Sequence, residues 1–256
     1  DTNAGAPARA LAHTPNGVYT EERTRINALD IARAPQPLVR STFDGGVLTI
    51  NAGNHAATEG TPLQMAVVDP RDIGHNLMQL SLAYSGERRW DCSLALQLQA
   101  LSYFTRTLDE THPEVGNTML ALGRTYSKLR QYEEAVVMNR ATLLFWMRIL
   151  PPGHPELGNA REYLAHALDV NGETQEAMVV HQACLAFRRE HLDPNHPLIG
   201  RSMNDVALLY NKLGQHDDAL RLNLECLEFK KQTLPADSPE IAISISSLAV
   251  RARLCL

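Results

Sequence analysis

The sequence predicts an all-α solenoid of antiparallel helix pairs, and three observations predict it. The first is a fixed step. His-Pro occurs at His112-Pro113, His154-Pro155 and His196-Pro197, and Ser238-Pro239 follows, each 42 residues from the last. A period of this size marks a chain whose units cannot bury their apolar faces alone and bury them by stacking. The second is agreement between columns. With His112 as the start of a unit, units run 70–111, 112–153, 154–195 and 196–237, with a partial unit at 238–256. Gly74, Gly116, Gly158 and Gly200 then align, as do Leu80, Leu122, Leu164 and Val206, and Leu101, Leu143, Leu185 and Leu227. The third is helical spacing inside a unit. Val115, Met119, Leu122 and Tyr126 step by four, three and four; after a polar break at Arg130-Gln131, Ala135, Met138, Ala141 and Phe145 begin a second stripe.

Taken in chain order, residues 1–69 stand apart. They do not align with the repeat, contain no Lys, and are interrupted by Pro35-Gln36-Pro37, Gly45-Gly46 and Gly53. They read as an irregular or partly disordered leader, with a short helix at about Glu21 to Arg33 and a strand or hairpin at about Gly46 to Asn51. A capping element or the tail of an upstream domain are the other readings. From residue 70 each unit supplies a first and a second helix. The proline of each His-Pro pair opens the first helix, where it removes no intrahelical bond. Gly172 and Gly214 close the first helix of units three and four with a left-handed residue, a position held by Arg130 in unit two. Ser93, Ala135, Ala177 and Ala219 are small enough for the two helices to approach. Tyr84, Tyr126, Leu168 and Tyr210 fill the space between units.

The composition narrows the function. With 24 Lys+Arg against 29 Asp+Glu, a formal charge of −5 and no basic blocks, the chain lacks the footprint of a nucleic-acid binder. No apolar run approaches the roughly 18–20 residues of a membrane span, and no basic-then-apolar signal pattern opens the sequence, so no membrane insertion and a cytoplasmic location are expected. There is no GxxxxGK[ST], HExxH or GxSxG, and no GxGxxG between a strand and a helix, so neither an enzyme nor a cofactor is expected. No metal is expected either: the His-Pro histidines sit one repeat apart and cannot converge on one ion at about 2 Å, which makes them capping or solvated turn residues. His166 and His181 read as buried polar groups or contact residues, and Cys184 and Cys226, aligned with Ala100 and Thr142, as packing residues.

The motifs HPEV with LG and Tyr126 over 112–126, GETQEA at 172–177 and VALLYNKLGQHDDAL at 206–220 resemble tetratricopeptide repeats, in the 42-residue variety of kinesin light chains. The resemblance covers residues 70–256. It implies a right-handed superhelical solenoid whose first helices line a concave groove, and a non-catalytic adaptor or scaffold that binds a partner's peptide segment there. The alternative it leaves open is a regulatory or sensor region of a larger signalling enzyme whose catalytic domain lies outside the chain. Carried over column by column, the lining is Gln79 from unit one, Asn117, Arg124 and Lys128 from unit two, Asn159, Glu162, Tyr163 and His166 from unit three, and Arg201, Asn204, Asp205, Asn211 and Lys212 from unit four. Two columns depart from the family. Its aromatic residue four positions after the small residue is replaced by Gln97, Asn139, His181 and Asn223, and its Asn in the first helix by Gln79, Ala121, Tyr163 and Asp205. Phe104 and Trp146, aligned with Arg188 and Lys230, are read as an exposed apolar patch or as a surface covered by residues 1–69. The sequence starts at Asp1 and stops at Leu254-Cys255-Leu256 within the fifth unit, which reads as a fragment whose unfinished array ends permit self-association.

Overall fold

The structure, a computed structural model, describes residues 39–44, 47–52, 63–65, 72–235, 237–242, 244–245 and 248. The helix expected at 20–33 and the final Leu254-Cys255-Leu256 lie outside the described residues. Among the described residues, eight helices follow one another: α1 Ile73–Gly86, α2 Trp90–Thr107, α3 Pro113–Lys128, α4 Tyr132–Ile149, α5 Pro155–Val170, α6 Thr174–His191, α7 Pro197–Lys212 and α8 His216–Thr233. Each packs against its chain neighbours, first helix on second and second helix on the next first helix. The helix pairs are those the period predicts, and the array is a tetratricopeptide-like solenoid.

Ahead of it lies a small antiparallel sheet, β1 Val39–Asp44, β2 Val47–Ala52 and β3 Leu63–Met65, in that spatial order. The expected hairpin is here, and it extends further than its sequence signal. Asp44 pairs with Val47, so a two-residue Gly45-Gly46 connection joins strands rich in β-branched residues. β3 adds a short third strand through Leu48 opposite Met65. β1 runs beside α2.

The His-Pro column is a capping device. Nδ1 of His112, His154 and His196 accepts the backbone N–H of Glu114, Glu156 and Leu198 at 3.3, 3.2 and 3.2 Å. Each ring thereby satisfies one of the four orphan donors of its helix. Ser238 continues the role through Oγ, which accepts from Glu240 N at 3.4 Å. At the other end of the first helices one backbone position is left-handed in each of the four full units: Arg88 at φ 59°, Arg130 at 62°, Gly172 at 91° and Gly214 at 75°. The geometry belongs to the repeat, and the arginines adopt it at a cost of about 1 kcal/mol relative to glycine.

Core columns are buried as a stacked solenoid requires. Leu122, Leu164, Leu101, Leu143 and Leu168 are fully enclosed, each contributing about 1.5–3 kcal/mol of apolar burial. Phe104 and Trp146 belong to this core and form no exposed patch: they are only 1% and 3% exposed. The glycine column explains why. A Cβ at Gly74 would lie 2.3 Å from Phe104, and one at Gly116 would lie 2.5 Å from Trp146 and 2.6 Å from Phe145. The missing side chain on the first helix is the slot into which the second helix inserts its ring. Helix phase alone suggested exposure because it took no account of that slot.

Candidate functional site

The outward residues of the first helices form one face along α1, α3, α5 and α7. Gln79, Asn117, Arg124, Lys128, His166, Arg201 and Lys212 are exposed, and Asn159, Tyr163, Asn204, Asp205 and Asn211 are half-buried. Contacts tie neighbouring units across this face. The Arg124 guanidinium lies over the Tyr163 ring, 5.6 Å from its centroid, and Lys212 pairs with Asp169. The asparagines turn partly inward: Asn159 Nδ2 donates to Glu156 Oε1 at 3.4 Å, Asn211 Nδ2 to Ala207 O, and Asn204 Oδ1 accepts from Cys226 Sγ at 3.2 Å.

Units three and four bring the charged residues together. Glu162 is buried, and its two carboxylate oxygens are divided between two arginines. Oε2 accepts from Arg188, which is 1% exposed, and Oε1 lies 3.0 Å from Arg201, whose side chain is 61% exposed. Arg188 also donates to Ser202 Oγ at 2.7 Å and to Leu198 O at 3.4 Å. His166 Nε2 stands 3.9 Å from both Glu162 Oε1 and Asp205 Oδ2, and its ring meets the His181 ring edge-on at 5.0 Å. Sequence reasoning placed Glu162, His166, Arg201 and Asp205 on one face but missed Arg188, Ser202 and His181 as their partners. The signal was present as paired columns. Where units one and two have Phe104 with Met78 and Trp146 with Leu120, unit three has Arg188 with Glu162. The aligned Lys230 is likewise buried, donating to Ser244 Oγ at 3.1 Å, and Ser244 is one repeat after Ser202.

The tetratricopeptide repeat description matches residues 72–143 and 156–232, more than half of the chain. The chain belongs to the tetratricopeptide repeat family. Solved structures share its fold. Nearly identical repeats assigned to a kinesin light chain of Podosopora anserina are 24% identical, covering 68% of this chain and 83% of that one at a TM-score of 0.62. BtubC (BKLC) from P. vanneervenii is 17% identical, covering 66% and 70% at 0.59. The apo form of RapI is 13% identical, covering 73% and 50% at 0.62. No curated protein matches the chain by sequence. The family is one of protein–protein interaction modules, and this tetratricopeptide array is one of them. Among the described residues, no helix is long and apolar enough to cross a membrane.

Electrostatics of the array follow from burial. His181 is 2% exposed, and burial, aided by the neighbouring His166, pushes its imidazole down to about 4. Burial raises the Asp205 carboxyl above its ordinary range, although His166 opposes the shift. Burial also raises the thiols of Cys184 and Cys226, so the reactive thiolate is disfavoured. For His181 the folded state holds the neutral ring, whereas an unfolded chain titrates near 6.5. The unfolded state therefore binds more protons between these values, and stability falls as pH drops through that window. The array is expected to lose about 2 kcal/mol between pH 7 and pH 5 from this residue. Urea denaturation of wild type and His181→Gln at both pH values measures it. Equal pH dependence in the two proteins contradicts the assignment.

Proposed function

We propose that this tetratricopeptide array is a non-catalytic adaptor or scaffold module that holds an extended segment of a partner protein along the face of its first helices. The observation that carries the reading is an asymmetry of charge on that face. Its bases Arg124, Lys128, Arg201 and Lys212 are exposed, whereas Glu162 is buried and Asp169 and Asp205 are half-buried, Asp169 against Lys212 and Asp205 beside His166. A mixed lining in sequence thus presents mainly positive charge to solvent, with Tyr163 between Arg124 and the unit-three cluster. A segment carrying acidic side chains suits it, with Gln79 and Asn117 available to its backbone.

The test is affinity capture with wild type and with Arg124→Glu/Lys128→Glu, followed by binding measurements on the recovered partner. Both substitutions are at exposed helical positions, so circular dichroism should be unchanged. The expected result is at least a tenfold loss of affinity that deepens as salt is lowered, because opposed charges are then less screened. Recovery of the same partner with unchanged affinity removes the groove from the reading.

A further inference from the structure

We propose that Glu162, His166 and Asp205 form a binding site for a divalent cation, best suited to zinc, on the groove side of units three and four. The inference is independent of the peptide reading above. Glu162 and His166 are four residues apart on α5 and so share a face; Asp205 reaches the same point from α7. One donor atom from each lies within 4.8 Å of the other two, with His166 Nε2 3.9 Å from both Glu162 Oε1 and Asp205 Oδ2. Four-coordinate zinc with bonds of about 2.0–2.2 Å places neighbouring ligand atoms roughly 3.4 Å apart. The two pairs that involve His166 need to close by only about half an ångström, and the Glu162 and Asp205 oxygens by up to about 1.4 Å, to meet that geometry, with the His166 side chain half-exposed.

An independent observation points the same way. Asp205 Oδ2 is buried and accepts no hydrogen bond among the described residues. A buried carboxylate oxygen left so is costly, and a cation at the centre of the cluster satisfies it. Arg188 supplies the outer support that a ligating carboxylate needs, holding Glu162 through the oxygen that faces away from His166. Arg201 is the competitor. It occupies the Oε1 atom that the ion would take, and with a side chain 61% exposed it can withdraw into solvent. One imidazole and two carboxylates suit zinc better than magnesium or calcium, which prefer all-oxygen sets. The remaining position opens on the groove, to water or to a partner's side chain.

Calorimetric titration of the full chain with zinc chloride tests the site in wild type, His166→Ala, Asp205→Asn and Arg201→Gln. One zinc ion should bind the wild type, and His166→Ala and Asp205→Asn should each weaken it at least tenfold. Arg201→Gln should tighten binding several-fold, a result that adventitious zinc on the chain's other histidines would not give. Absence of binding to wild type, unchanged affinity in His166→Ala, or weaker binding in Arg201→Gln overturns the proposal. His166 and Arg201 are exposed, so folding of those variants, checked by circular dichroism, does not confound the comparison.

Discussion

Arg188→Ala is expected to destabilise the array by about 3–5 kcal/mol, because it strips a buried carboxylate of its enclosed partner. Glu162 then keeps only Arg201, whose exposed guanidinium compensates in a medium close to water. Ser202 Oγ also loses the donor that reaches it at 2.7 Å. In a repeat array the damage is carried by the interface it touches. Hydrogen exchange should therefore show protection lost in α5–α8 before α1–α4, with a lower denaturation midpoint. The presence of a buried ion pair does not by itself make the fold stable, and a second variant makes that distinction measurable. Arg188→Trp combined with Glu162→Leu and Ser202→Ala installs Trp146 and Leu120 of unit two together with Ala160, the residue of the next unit that follows them as Ser202 follows Arg188. Gly158 already stands at the slot position. Replacing a buried pair by fitted apolar groups is often neutral or stabilising by about 1–4 kcal/mol, so this triple variant should recover the loss. A loss below about 1 kcal/mol for Arg188→Ala would contradict the burial argument itself.

The contrast between those variants shows what the sequence could convey. The 42-residue step, the helix pairs and the histidine caps were legible because each depends on local chemistry repeated in register: a proline in a first turn, an acceptor before it, apolar residues at three and four; the hairpin at Gly46 to Asn51 lies outside the repeat and showed only as a short strand signal beside Gly45-Gly46. The exposure of Arg124, Lys128, Arg201 and Lys212 on the first helices follows from the same helical phase. Depth was not legible. Glu162 and Arg201 fall on the same face, yet Glu162 is buried and Arg201 exposed, because an arginine from the neighbouring second helix reaches through the stack to one of them. That contact joins positions 26 residues apart in the chain and shows in sequence only as a joint change of two columns. His181 was legible as a buried polar group or a contact residue, and its packing against His166 decides for burial.

Trp146 carries the second large effect, and two substitutions separate its contributions. Trp146→Ala should cost about 3–5 kcal/mol, the range for removing a large enclosed aromatic side chain. Gly116 opposite has no side chain to move into the space, and Phe145, 5.1 Å away in an edge-to-face contact, loses its neighbour. Trp146→Phe should behave differently. The indole Nε1 is buried and makes no hydrogen bond among the described residues, so the larger ring brings a desolvated donor along with its extra area. Phenylalanine gives up part of the area and removes that donor, and unit one already places Phe104 against Gly74 in the same arrangement. The two changes oppose each other, and the net effect should stay within about 1 kcal/mol of wild type. Guanidinium denaturation followed by far-ultraviolet circular dichroism reads both variants. If Trp146→Phe costs as much as Trp146→Ala, the slot is not an exchangeable feature of the repeat, and the ring at each unit is fitted to its own surroundings rather than to the glycine column.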